Sequence, residues 1–414
     1  MTVLPQLDQS RLLRRLAEIA RFGATGAGGL DRQALSADEV AARSYVLEVA
    51  RERGFGCAID AIGNLFVRRD GTDVRLPPLA AGSHLDSQPK GGRFDGTLGV
   101  MAALEVLEAL ADGDVDHRHP IEAVVWTNEE GSRFAPGTMG SSVYAGAADL
   151  AAMLGATDAA GTTVAAALAE AQAALGPLHH RQLGLPFAAY VELHIEQGPV
   201  LESLGYPVGV VDGIQGARWL QVDVAGRAGH AGTTPEALRR DAGDAAIRAA
   251  AAARAAVHAD GDARVRFTIG RIAFMPGSIN TIPAAARFTI DLRHPDAAAL
   301  DALDARLQAA IQAAAAPCGV TIDRLMDNPP TRFDSRVIAA CADAAERYVS
   351  PPFQLTSGAF HDAQFAARLG PAGMIFIPCA DGISHAEVED IEPDHAVAGT
   401  QVLMDALLAL DRAL

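Results

Sequence analysis

Four short apolar runs, Leu79–Gly82, Ile121–Thr127, Ala189–Ile195 and Met374–Pro378, each lead into a cluster of His, Asp or Glu, and this recurrence constrains the fold more than any other feature. Runs so short and so continuously apolar read as strands buried on both faces, and helical segments such as Gly96–Ala111 lie between them. The pattern predicts an α/β architecture with a mainly parallel sheet. Upstream, MTVLPQLDQSRLLRRLAEIARFG reads as an amphipathic helix, followed by a second helical pattern and a short strand that ends at the turn signal in GNLFVRRDG. The Ala-rich stretch Ala147–Leu175 keeps helical spacing and reads as one or two surface helices.

The middle of the chain has a different rhythm. Arg218–Ala225, Val265–Phe274, Ala285–Leu292 and Val320–Leu325 read as strands, with Pro235–Val257 and Asp296–Ala316 as helices between them. The order βαββαβ is that of a self-contained split-βαβ, ferredoxin-like sandwich, which can be inserted in a larger domain as a lid or dimerisation module. The insert is expected over about 215–328 with Pro329–Pro330 at its return, leaving a discontinuous catalytic domain of 1–214 and 329–414.

Length and composition exclude several classes. At 414 residues the chain exceeds the size at which one core keeps growing, so two domains are expected. A formal charge of −17 without any basic cluster repels phosphate backbones and argues against nucleic acid. No run of eighteen apolar residues argues for a membrane span, and the N-terminus does not read as a signal sequence, so a cytoplasmic protein is expected. The four cysteines form no CxxC pair and read as buried thiols.

The chemistry concentrates at the strand ends. His84 and Asp86 follow the first strand and Asp95 opens the next helix; ligands at the carboxyl ends of parallel strands converge on one crevice. Glu129 and Glu130 are adjacent, and adjacent residues leave a strand on opposite faces, so only one would point into that crevice if the strand continued; a turn at Gly131 can let both reach it. One of them would bind metal and the other stay free as a general base. Glu192, His194 and Glu196 share one strand face, and His385 follows the last strand. A lone histidine such as His180, His258 or His294 is, by contrast, expected to be a surface or hydrogen-bonded residue. His and carboxylate donors without Cys suit zinc and tolerate manganese, cobalt or nickel. Two such ions bridged by one carboxylate would lower the pKa of a shared water and polarise a scissile carbonyl, with Glu129 taking the water proton and passing it to the leaving nitrogen.

Read together, HLDSQPKGGRFDGTLGV, TNEEGSRF, HIEQGPVLE, AGHAGTTP, PGSIN and SGAFHDA…SHAE resemble the hydantoinase/carbamoylase branch of the zinc aminoacylase/carboxypeptidase superfamily, from about residue 20 to the C-terminus. The resemblance implies two divalent ions held by His84, Asp95, Glu130, His194 and His385, with Asp95 bridging, Glu129 as general base and Asp86 orienting His84. It also implies a homodimer, and a clamp for a substrate carboxylate made by His230, Asn280 and Arg293, with Gln197 and Arg218 as neighbours and Ser357, Gly358 and Phe360 lining the pocket. Phe360 stands where many relatives have Gly, so the side-chain pocket is expected to be reshaped. The implied reaction is hydrolysis of an N-carbamoyl-L-amino acid to the amino acid, carbon dioxide and ammonia. A ureide such as allantoate or ureidoglycolate is the alternative substrate; a dipeptidase, an aminoacylase or an inactive metal-binding homologue are the others.

Overall fold

The computed structural model describes residues 6–414, so the first five residues of the expected N-terminal helix lie outside it. The helix itself runs Gln9–Ile19, with the Asp8 side chain capping its first turn. The chain divides into two compact units, 1–213 with 332–414 and 214–331.

In the first unit the strands, in chain order, are β1 (Gly56–Ile59), β2 (Leu65–Arg69), β3 (Leu79–His84), β4 (Ile121–Trp126), β5 (His179–His180), β6 (Ala189–Ile195) and β7 (Gly209–Ile214). The second unit contributes β8 (Gly216–Ala225), β9 (Gly229–His230), β10 (Arg266–Met275), β11 (Thr281–Ile282), β12 (Ala285–His294) and β13 (Gly319–Asn328). The chain closes with β14 (Thr331–Arg332), β15 (Phe353–Ser357) and β16 (Ala372–Ile377).

Among the described residues the first unit holds a ten-stranded sheet in the order β14-β7-β16-β6-β3-β4-β2-β1-β5, with β15 on β7. Its centre, β16-β6-β3-β4, is parallel, and every residue of those four strands is buried. That is why they appear in the sequence as mainly apolar runs without alternation, broken only by the buried polar residues Glu122 in β4, Glu192 and His194 in β6 and Ser83 and His84 in β3. The helices Thr97–Asp112 and Pro393–Ala413 pack on this sheet, and the main core is built from them, from β3, β4, β6 and β16, and from the helices Gln9–Ile19 and Ala37–Glu52. Antiparallel neighbours, β2 beside β4 and β7 beside β16, flank the parallel centre. The Ala-rich stretch forms two helices, Leu150–Leu154 and Val164–Leu175.

An ion pair on the helix Ala37–Glu52 is almost completely buried. Glu39 and Arg43, one helical turn apart, are 0% and 1% exposed, and Arg43 also donates to the carbonyl of Gly63 and the hydroxyl of Thr127. Removing one member of such a pair strands the other charge away from water. Glu39→Ala is therefore expected to cost about 3–5 kcal/mol, read as a lowered urea midpoint at unchanged m.

The second unit is the expected βαββαβ module: a four-stranded antiparallel sheet, β10-β12-β8-β13, backed by the helices Ala242–Val257 and Ala297–Ala315 around a core of its own. The first helix starts later than its sequence pattern suggests. Pro235 precedes only a short 3₁₀ turn at Glu236–Leu238, and the α-helix begins after Asp241, whose carboxylate accepts from Gly243 and Asp244. Among the described residues no helix is long and apolar enough to cross a membrane.

Candidate active site

The ends of the parallel strands bring the acidic and imidazole residues together. β3 finishes on His84, β6 carries His194 one residue before its end, and His385 and the Glu129–Glu130 pair lie in the loops after β16 and β4. Asp95 stands two residues before the helix Thr97–Asp112. Its carboxylate is the meeting point. Oδ1 lies 3.5 Å from His84 Nε2 and 3.2 Å from His194 Nε2, and Oδ2 lies 3.2 Å from His385 Nε2. Two groups of donor atoms within 4.8 Å of one another result, His84–Asp95–His194 and Asp95–Glu130–His385. Glu129 belongs to neither; its Oε2 sits 3.6 Å from His84 Nε2.

The imidazoles are oriented by backbone carbonyls. His84 Nδ1 donates to the carbonyl of Asp86 at 2.8 Å and His194 Nδ1 to that of Ile195 at 2.9 Å, which leaves both Nε2 atoms turned toward Asp95. Asp86 meets His84 through two atoms: its main-chain oxygen accepts from Nδ1 and its Oδ1 lies 3.7 Å from the same nitrogen, while its carboxylate also accepts the N–H groups of Glu129 and Glu130, each at 3.1 Å. Asp86 thus holds the backbone of the two glutamates. Asp86→Ala is expected to lower kcat/KM by roughly 10–100-fold, measurable by steady-state kinetics at saturating metal.

Both glutamates do reach the crevice, by a route the sequence only half reveals. The chain turns at left-handed Asn128 (φ 55°), whose amide donates to the carbonyls of Phe134 and Pro136, and again at Gly131 (φ 66°). Gln88 fixes Glu130 through its main-chain N–H (3.0 Å) and its side-chain amide (2.8 Å). Glu196 shares a face with His194 in the sequence but not in the site: it caps the helix Val200–Leu204 by accepting from Val200 and Leu201.

Charge is concentrated here. Burial works against charge on His84, but Glu129, Asp95 and Asp86 outweigh it and hold the imidazole well above its ordinary pKa. Burial likewise opposes charge on Asp95, yet hydrogen bonds from His194, His385 and His84 hold it well below the carboxylate range. The hydrogen bond to Asp95 raises His385 to about 9, against burial. Burial and the neighbouring Asp95 charge raise Glu130 to about 7. Protonated histidines thus supply the positive charge that Asp95 needs, and divalent cations would supply it in their place. The donor set fits such ions: imidazole nitrogens and carboxylate oxygens, with no thiol, in two groups sharing one carboxylate.

A third cluster, Glu192–His194–His361, serves as support. Glu192 accepts from the Ser83 hydroxyl at 2.7 Å and the Ala363 N–H at 2.9 Å, and the His361 ring packs edge-on against His194 at 4.6 Å. Both residues lie in motifs noted in the sequence, but nothing in a linear pattern marks them as the backing of His194.

The residues expected around the substrate divide. Gln197 stands at the site, its amide 2.8 Å from Asp95 Oδ2. Ser357 is buried and its hydroxyl is engaged within its own loop, by Ala359 and His361; Gly358 is exposed and Phe360 half-buried. In the second unit, His230 and Asn280 are neighbours across β9 and β11: the Ala231 N–H donates to the Asn280 carbonyl at 3.0 Å. His230 Nδ1 accepts from Gly232, and Asn280 Oδ1 from Ser278, so both side chains retain N–H donors. Arg293 lies on β12 and makes a forked contact with Asp291. Arg218 makes ion pairs with Asp301, Asp304 and Asp327 of its own unit. Of the lone histidines, His180 is exposed, and buried His294 is hydrogen-bonded to Asp262.

Strand-end carboxylates and imidazoles around one shared aspartate define the class, a hydrolase acting on amides, and the relatives agree. The model of peptidase family M20/M25/M40 matches residues 80–409. The N-carbamoyl-L-amino-acid amidohydrolase of Rhizobium meliloti is 37% identical over 97% of this chain and 96% of its own. The ureidoglycolate hydrolase of Arabidopsis thaliana is 33% identical over 98% of this chain and 87% of its own. A crystal structure of a hydantoinase/carbamoylase-family amidase from Burkholderia multivorans superposes with a TM-score of 0.92 at 40% identity, covering 98% of both chains. The chain belongs to peptidase family M20/M25/M40 and, within it, to the hydantoinase/carbamoylase amidases.

Proposed function

We propose that this protein hydrolyses an N-carbamoyl-L-amino acid to the L-amino acid, carbon dioxide and ammonia. The observation that carries the reading is the division of Asp95 between His84 with His194 and Glu130 with His385, while Glu129 stands beside His84 and belongs to neither group. These five ligands would hold two divalent ions, zinc first and manganese, cobalt or nickel as alternatives. Bound there, the ions supply a Lewis acid for the carbamoyl oxygen and a water of lowered pKa. Glu129 takes the proton of the attacking water and returns it to the leaving nitrogen. Asp86 keeps Glu129 in place through its backbone, and Gln197 presents an amide beside Asp95.

His230, Asn280 and Arg293 form the clamp for the substrate carboxylate, offering N–H donors of the kind a carboxylate accepts. The protein works as a homodimer through its second unit. The edge strand β10 of that unit leaves Ile272, Phe274 and Met275 exposed, a surface suited to pairing with another copy. All four cysteines are free thiols, which fits a cytoplasmic enzyme. A ureide such as ureidoglycolate or allantoate is the second reading, favoured by the identity to ureidoglycolate hydrolases over nearly the whole chain; Phe360 is the pocket residue that would decide between substrates.

The test is ammonia release after loading the metal-stripped protein with zinc, manganese, cobalt or nickel. N-carbamoyl-L-amino acids are expected to be the best substrates of a panel that includes the D-forms, N-carbamoyl-β-alanine, allantoate and ureidoglycolate, together with N-acetyl amino acids and dipeptides, whose cleavage is read by release of the free amine. Best turnover of a ureide would select the second reading, and turnover of peptides or acyl amino acids alone would overturn both.

A further inference from the structure

Asp95 can serve two groups only while its two oxygens face in different directions; Gln197 and Ser384 contact Oδ2 directly, and one buried residue outside both groups holds the main chain beside it. Glu389, four residues beyond His385, is 2% exposed. Its Oε1 accepts the N–H of Phe94 at 2.9 Å and that of Asp95 itself at 3.1 Å. Its Oε2 lies 2.9 Å from the hydroxyl of Ser384, which also stands 3.1 Å from Asp95 Oδ2. A single side chain therefore ties the main chain of one ligand to the residue preceding another. The space around it is fully used: a Cβ added at Gly92 would fall 1.9 Å from the Glu389 carboxyl carbon. A carboxylate buried beside a second carboxylate is costly, and these hydrogen bonds only partly offset that cost.

We propose that Glu389 is a positioning residue that sets the orientation of the Asp95 carboxylate and so couples the two metal positions. The inference rests on the two-metal reading above. With Glu389 in place, an ion bound by His84, Asp95 and His194 leaves Asp95 Oδ2 already aimed at Glu130 and His385. Without it, the Phe94 and Asp95 N–H groups lose their acceptor and the aspartate is free to turn. The position at His385 suffers most, because His385 is 48% exposed whereas His84 and His194 are each 2% exposed.

The experiment is a calorimetric titration of the metal-stripped full chain with Mn2+, followed by electron paramagnetic resonance of the loaded protein to detect exchange between paired ions. The wild type is expected to bind two ions and show an exchange-coupled signal. Glu389→Ala should bind the first ion normally and the second roughly 10–100-fold more weakly, with the coupled signal lost. Glu389→Gln should behave as wild type, since its amide oxygen still accepts both N–H groups. Gly92→Ala, which displaces the carboxyl without removing it, should reproduce the alanine phenotype and decides the matter if Glu389→Ala does not fold. Two ions at wild-type affinity with intact coupling in Glu389→Ala or Gly92→Ala would overturn the proposal, as would loss of the second ion in Glu389→Gln. A wild-type protein that takes up fewer than two ions would instead overturn the two-metal reading itself.

Discussion

Replacing Glu129 by Gln is expected to lower kcat by roughly 10²–10⁴-fold while both metal ions stay bound and KM changes little. The substitution keeps the shape of the side chain and removes only its ability to take a proton. Glu129 lies outside both donor groups, and its backbone is fixed by Asp86 whatever the side chain, so metal content should not follow the loss of rate. Burial pushes the Glu129 carboxyl well above its ordinary pKa, against the opposing pull of His84 and with Asp362 and Glu130 adding to the rise. A base with a raised pKa is protonated, and therefore idle, below that pKa. Consequently kcat/KM of the wild type should fall as pH is lowered, and this acid limb should disappear from the residual activity of the Gln variant. Steady-state kinetics with metal analysis checks both points; wild-type turnover by Glu129→Gln would remove the residue from the mechanism.

Asp95→Asn is the second large effect. An amide offers one oxygen where the carboxylate offers two, so the variant can complete one donor group and not the other. The negative charge that raises the pKa of His84, His194 and His385 in the ion-free site is lost at the same time. Metal analysis should find no more than one ion per chain, and activity should fall to that of metal-stripped wild type. Retention of two ions would show that the joining of the two groups does not depend on both oxygens of Asp95.

What the sequence displays and what it hides follow from the physics of each position. A strand buried on both faces is mainly apolar, so β3, β4, β6 and β16 stand out in the chain despite the buried Glu122 and Glu192, and the polar residues at their ends stand out against them. The inserted module is equally visible because its helices and strands alternate with clear periods. Hydrogen bonds between residues distant in sequence leave no such trace. Glu389 looks like one more acid in an acidic loop, yet it holds the main chain at Phe94 and Asp95. Asp86 was expected to act on His84 through its side chain, which lies 3.7 Å from Nδ1; the closer contact is made by its carbonyl, which any residue possesses. Arg218 was grouped with the substrate residues because of its place in the chain, and only the fold reveals three aspartates around it. The turn at Asn128 was assigned to Gly131 alone because glycine advertises its conformational freedom and a left-handed asparagine does not.

The two crossings between the units carry a consequence for how such chains diversify. In the second unit the first and last strands are partners, with Ala217 opposite Asn328, so the chain leaves that module beside the point where it entered. In the first unit the Phe333 N–H donates to the carbonyl of Asp212 at 3.1 Å, which places the two severed ends side by side there as well. A module with adjoining ends behaves as a cassette. It can be deleted, exchanged or grafted with a splice of a few residues, while the loops that carry His84, Asp95, Glu129, Glu130, His194 and His385 remain on the host segment. The inserted segment can thus be traded in a single recombination event without reopening the loops of the host segment.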